Sequence, residues 1–168
     1  MDPKMPNFSQ KQWDTIVSSF FSKYSGLLYW HKDLIRTVKR TGRLHGPLGH
    51  VWEFQKELKK GGYYDYGVEK IYNYPVQGTS GAIIKLALLT ILRRSKHLTQ
   101  KRFTMTVHDS LIWDVPLSEV EELAKINVEV FRELPDIVKQ KFGYQIKVPI
   151  DGEATAGPTW GEQQKIPI

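Results

Sequence analysis

Cysteine is missing from all 168 residues, which excludes disulfide staples and thiolate metal sites and suits a reducing compartment. Acid is in short supply. Eighteen Asp and Glu against 24 Lys and Arg leave a formal charge of +6 and a pI near 9.4, which favours an anionic partner, nucleic acid foremost. Long hydrophobic runs are also lacking. The longest, Gly81 to Leu92, is interrupted by Lys85 and is shorter than the roughly 20 apolar residues a bilayer requires. No basic-then-apolar leader opens the chain, so neither a membrane partner nor export is expected. There is no internal repeat and no low-complexity tract.

What is present suits one folded domain. Hydrophobic residues make up 40% of the chain, including five Trp, eight Tyr and seven Phe, so much of the apolar area is aromatic and the composition is not that of a disordered chain. Ser9 to Gln12 has the form of a capping box, and Trp13, Ile16, Val17, Phe20, Phe21 and Tyr24 follow at helical spacing. Ser25-Gly26 interrupts this helix, and a second one carries Leu27, Leu28, His31, Ile35 and Val38 and ends near Gly42. Alternation at Val51 to Phe54 predicts a short hairpin or edge strands. Residues 56–67, charged and then rich in Gly and Tyr, read as a loop ordered by a ligand. The next helix is expected from Thr79 to Arg94 and, being apolar nearly all round, to be buried on most sides. A second capping box at Ser118 to Glu121 opens a helix striped by Val120, Leu123, Ala124, Asn127, Phe131 and Leu134. Gln145 to Ile150 reads as a final strand. The expected class is α+β, a small antiparallel sheet backed by helices.

The segment from Thr104 to Val115 carries the chemistry. Two β-favouring runs flank His108-Asp109, presenting one carboxylate at the tip of a rigid strand-turn-strand unit. Such placement suits metal-bound phosphoryl chemistry, although Asp in a turn also has purely local hydrogen-bonding reasons to be there. Upstream lies Asn73-Tyr74-Pro75-Val76-Gln77-Gly78-Thr79, entering the apolar helix.

Together these two segments resemble the last third of the palm of family A DNA polymerases, the group of DNA polymerase I and many phage replicases. That family has an N-x-P-x-Q-G-T stretch before a V-H-D-E or V-H-D-S hairpin, here Val107-His108-Asp109-Ser110. The resemblance extends outward in order. It takes in Phe20-Phe21-x-Lys23-Tyr24, Trp30-His31, Thr41-Gly42-Arg43-Leu44 with Pro47-Leu48-Gly49-His50 and Trp52, Val148-Pro149-Ile150, and Gly157-Pro158-Thr159-Trp160-Gly161-Glu162. Ser110, where many relatives have Glu, is the phage-type variant. His50 and Ala82 depart from the family's Arg and Asp.

The resemblance implies roles. Asp109 would be one of two carboxylates holding paired Mg²⁺ ions, with His108 beside the primer terminus. Asn73 and Gln77 would face the minor groove of the nascent duplex, where every base pair offers an acceptor. By charge rather than by resemblance, Arg43 and Lys85, with Lys56, Lys59, Lys60 and Lys70, are candidate phosphate contacts. The family's D-Y-S-x-I-E-x-R strand and R-x-x-x-K-x-x-x-F-x-x-x-Y-G helix are not in the chain; in full-length relatives both lie upstream of the matched region. The expectation is therefore a C-terminal palm segment, with residues 1–42 a helical lead-in and 43–168 the palm core. It would act on primer-template DNA and dNTP with a companion chain that supplies the missing parts, in the cytoplasm. The rival expectations are a non-catalytic DNA-binding derivative of a polymerase and an inactive fragment.

Overall fold

The computed structural model describes residues 8–168, which form four helices and four two-stranded pairs. The class is α+β, as expected, but the strands form four separate two-stranded pairs rather than one sheet. The chain divides into two compact units: the part up to Leu44 with Val51–Asn73, and His45–His50 with Tyr74–Ile168.

The first unit begins with α1 (Gln10–Lys23), entered through the predicted capping box. Gln12 N–H donates to Ser9 Oγ at 3.4 Å, and Ser9 N–H donates to Gln12 Oε1 at 2.8 Å. Phe8, just before the cap, meets Trp13 edge-on at 5.2 Å, so a hydrophobic staple fixes the entry angle. The break before α2 (Ser25–Thr41) falls at Tyr24, and α2 ends on Gly42 at φ 70°. Only a residue without a Cβ takes that conformation cheaply, and the Gly42 N–H satisfies the Val38 carbonyl at 2.8 Å. Strands β1 (Arg43–His45) and β2 (Val51–Glu53) form the hairpin expected there. Val38, Leu44 and Ile71 are the buried centre of this unit, surrounded by Leu34, Ile35, Trp52, Phe54, Tyr66 and Tyr72.

Residues 56–67 are not a loop. Strands β3 (Lys56–Leu58) and β4 (Tyr64–Tyr66) pair antiparallel, Lys56 with Tyr66 and Leu58 with Tyr64. The lysines concealed the strand pattern, while Gly61-Gly62, with Gly62 at φ 78°, makes the turn that alternation alone did not announce.

Helix α3 (Val68–Arg94) starts eleven residues earlier than expected and carries Pro75 in its interior. Proline usually ends a helix because it lacks the N–H that would bond residue i−4. Here the residue left without that donor is Ile71, whose complete burial holds the first turns in place. Nor is α3 covered on most sides. Ala82, Ala87 and Ile91 are buried, but Leu89 is 59% and Val76 57% exposed. At 27 residues α3 is long and apolar enough to cross a membrane, longer than the run read from sequence, with 17% of its most apolar stretch buried. Length and composition are all that supports this, since core helices pass the same test.

In the second unit, Ala87, Ile91, Leu98, Leu123, Val130 and Leu134 pack together between α3 and α4 (Leu117–Phe142). Arg94 Nη1 reaches Glu133 Oε1 at 3.1 Å, clipping the two helices together, and His97 Nε2, in the turn after α3, lies 2.7 Å from Glu122. The second capping box does not form. The cap of α4 is Pro116, which makes no side-chain cap, and Ser118 lies inside the helix, which continues through Pro135 to a second left-handed glycine, Gly143 at φ 69°. Gln145 to Ile150 forms no strand: Ile146 and Ile150 lie against the core clusters, but no neighbouring edge pairs with the backbone. The last pair is instead β7 (Thr155–Ala156) with β8 (Gln164–Lys165).

Candidate active site

The His-Asp turn is set by the hairpin of β5 (Arg102–Val107) and β6 (Ser110–Asp114). Val107 pairs with Ser110, leaving His108 and Asp109 as a two-residue loop. The hairpin is anchored by its even-spaced side chains. Leu111, Trp113 and Val115 lie against the α3–α4 cluster, and Phe103 meets Trp113 edge-on at 5.2 Å. An irregularity between Phe103 and Met105 accommodates one extra residue, so Phe103 stays opposite Trp113 and Thr106 opposite Leu111. At the base, Lys101 Nζ donates to the Ser95 carbonyl at 2.5 Å and the Leu98 carbonyl at 2.7 Å, bracing the turn between α3 and β5.

His108 has φ 54°, the only positive φ outside glycine among the described residues. Positive φ at the first central position and not at the second is the pattern of a type II′ turn, which normally puts glycine there. The imidazole thus stands where glycine would be the unstrained choice. Backbone strain of this kind concentrates at functional sites.

His108 and Asp109 are both exposed. Asn73 and Gln77, four positions apart on α3, are exposed as well, as is Lys85. Among the described residues none of these five side chains makes an ion pair or hydrogen bond with the rest of the chain. Three of these polar groups stand on a helix and two in a tight turn, and all are left open. Arg43 differs, since its guanidinium is 2.8 Å from Glu53. Lys70 and Lys59 both bond Glu57, so they too are engaged. Ala82 is 6% exposed within the cluster of Leu48 and Val138, where a carboxylate would lose its hydration.

Of the site residues, Gln77, Lys85, His108 and Asp109 belong to the second unit, and Arg43 and Asn73 to the first. No cluster of three His, Cys, Asp or Glu that could hold a metal occurs among the described residues. Asp109 therefore offers one hard oxygen donor group, while a stable Mg²⁺ site draws on one or two carboxylates plus phosphate oxygens. The donor chemistry fits part of such a site. The sequence pattern did not disclose the β3–β4 hairpin or its exposed Tyr64; the Gly-Gly dipeptide between Lys-Glu-Leu and Tyr-Asp-Tyr was the available signal.

The chain matches the family model for DNA polymerase family A over residues 4–162. It is similar to DNA polymerase I of Geobacillus stearothermophilus, 23% identical over 157 residues, covering 92% of this chain and 17% of that protein. DNA polymerase I of Helicobacter pylori is 25% identical over 160 residues, covering 93% and 17% respectively. That of Deinococcus radiodurans is 26% identical over 151 residues, covering 87% and 14%. Among solved structures it is similar to the POL domain of Pol1 from M. smegmatis in complex with DNA primer-template and dNTP, with TM-score 0.64 and 21% identity over 86% of this chain and 24% of that one. At that identity the likeness establishes the fold. The chain spans 17% or less of the length of these curated relatives.

Proposed function

The chain belongs to DNA polymerase family A, and from that premise we propose that it forms the C-terminal, palm-type part of a phage-type, template-directed DNA polymerase. In this reading residues 43–168 are the palm core and 1–42 a helical lead-in. A companion polypeptide supplies the other catalytic carboxylate and the nucleotide-binding helix. The assembled enzyme works in the cytoplasm, where primer-template and dNTP are found. The observation that carries the reading is Asp109, exposed at the tip of a strained hairpin with no side-chain partner among the described residues.

The reaction joins a primer 3′-oxygen to the α-phosphate of a dNTP, breaking the α–β phosphoanhydride bond and releasing pyrophosphate and the hydroxyl proton. Paired Mg²⁺ ions, when bound, would stabilise charge on the attacking and leaving oxygens. Asp109 would hold them together with the companion's carboxylate. The chain's own work is positioning. The two-residue turn restricts where the Asp109 carboxylate can lie, and His108 presents an imidazole beside it for the primer terminus. Asn73 and Gln77 offer amide donors to the minor-groove acceptors common to all base pairs, which checks pair geometry without reading sequence. Lys85 offers a cation to the backbone; Arg43 can do so only by exchanging Glu53 for a phosphate.

The test is reconstituted primer extension. The purified chain alone should incorporate no nucleotide. Adding a polypeptide with the upstream carboxylate and helix should give Mg²⁺-dependent extension. Asp109→Ala should then lower the rate roughly 10²-fold or more, the scale of removing one transition-state charge partner. Unchanged extension by that variant overturns the assignment. Salt-dependent duplex binding, with no companion restoring extension, would instead identify a non-catalytic DNA-binding derivative.

A further inference from the structure

The β3–β4 hairpin separates its charges by face. Residues two apart on a strand share a side, and so do cross-strand partners. The pair Glu57 and Asp65 therefore lies on one face, and Lys56, Leu58, Tyr64 and Tyr66 on the other. Both carboxylates are matched: Glu57 bonds Lys70 and lies 3.6 Å from Lys59, and Asp65 is 3.7 Å from Lys39. The acid of this hairpin is thus neutralised on the first face.

The second face is rooted at one end and bare at the other. Tyr66 is packed in the cluster of Val38, Leu44 and Ile71, with Lys56 Nζ 5.8 Å from its ring centroid. Towards the tip, Leu58 is 62% and Tyr64 66% exposed among the described residues. Lys60 follows at the turn, exposed. An open tyrosine ring and an aliphatic neighbour are thus bracketed by lysines, with no carboxylate on that face.

We propose that this face of the β3–β4 hairpin binds single-stranded nucleic acid, an unpaired base stacking on Tyr64 while Lys56 and Lys60 hold the flanking phosphates. The charge pattern favours a polyanion over an apolar protein segment, and an exposed ring can take the π-face of a base only when that base is unstacked from its neighbours. The inference goes beyond the polymerase reading. Binding is measured on this chain alone, without nucleotidyl transfer, so loss of the catalytic assignment leaves it standing.

The experiment is fluorescence anisotropy of a labelled oligo(dT) of about 20 nucleotides titrated with the full chain across a salt series, with a blunt duplex of equal length in parallel. Tyr64→Ala should weaken oligo(dT) binding about tenfold, and Tyr64→Phe, which keeps the ring, should stay within about twofold of wild type. The double change Lys56→Gln, Lys60→Gln should make the slope of log K against log salt shallower by about 1.4, two phosphate contacts at ~0.7 each. Oligo(dT) binding by Tyr64→Ala within about twofold of wild type overturns the proposal, as does equal loss on the duplex. Loss of self-association without loss of oligo(dT) binding overturns it too, and marks a protein interface. Should Tyr64→Ala lower the urea midpoint, the lysine variant decides: an unchanged salt slope overturns the proposal.

Discussion

At position 108 an L-residue sits in the left-handed region, at φ 54°. That conformation costs on the order of 1–2 kcal/mol for a side chain with a Cβ, while glycine there would cost roughly 0.5–1 kcal/mol through the entropy of the unfolded chain. The difference is small and favours glycine. His108→Gly should therefore leave the urea midpoint unchanged or raise stability by up to ~1 kcal/mol, while reconstituted extension falls. A loss of stability instead would mean that the imidazole itself holds the turn. Leu134 marks the opposite kind of residue. It is completely buried in the α3–α4 cluster, so Leu134→Ala should cost about 2–5 kcal/mol by urea unfolding.

Among the elements, α3 is the one most at odds with local rules. Pro75→Ala restores an N–H for the Ile71 carbonyl and should stabilise the chain by about 1–3 kcal/mol by urea unfolding. If it does not, the surroundings have already absorbed the break. The α3–α4 clip has a pH signature. The Arg94 guanidinium bonded to Glu133 holds that carboxyl below its ordinary value of 4.5. Glu57 is lowered by Lys70, and Asp151 by the Gly152 N–H and then Arg132. A carboxylate with a depressed folded pKa binds fewer protons folded than unfolded. Its contribution is complete above the unfolded value and disappears as pH falls through the folded one. Thermal unfolding should therefore show stability falling below about pH 4.5, and Glu133→Gln should flatten part of that fall, by well under about 1 kcal/mol because the pair is half exposed.

On the scale of the whole molecule, the apolar surface is incompletely covered. No residue of α1 is buried, and Trp13, Ile16, Val17 and Phe20 are each close to half exposed along one stripe. Such a stripe on a chain of this length invites association. Val17→Glu should leave the unfolding midpoint within about 0.5 kcal/mol and raise the concentration at which light scattering first reports aggregates. An unchanged onset would show that α1 is not the adhesive surface.

Much of this organisation was legible beforehand, and for local reasons. The capping box at Ser9, the glycine stop at Gly42, the β1–β2 alternation and the His-Asp turn are short-range patterns whose physics is complete within a few residues. The ordered motifs from Phe20 to Glu162 likewise identified the family. Long-range packing decided what those patterns could not. Burial of Ile71 carries α3 through Pro75, the lack of a partner edge denies a strand to Gln145 to Ile150, and pairing turns a charged stretch into the β3–β4 hairpin. Propensity is worth tenths of a kcal/mol per residue, whereas a buried side chain or a paired edge is worth whole ones, so tertiary contacts prevail wherever the two disagree.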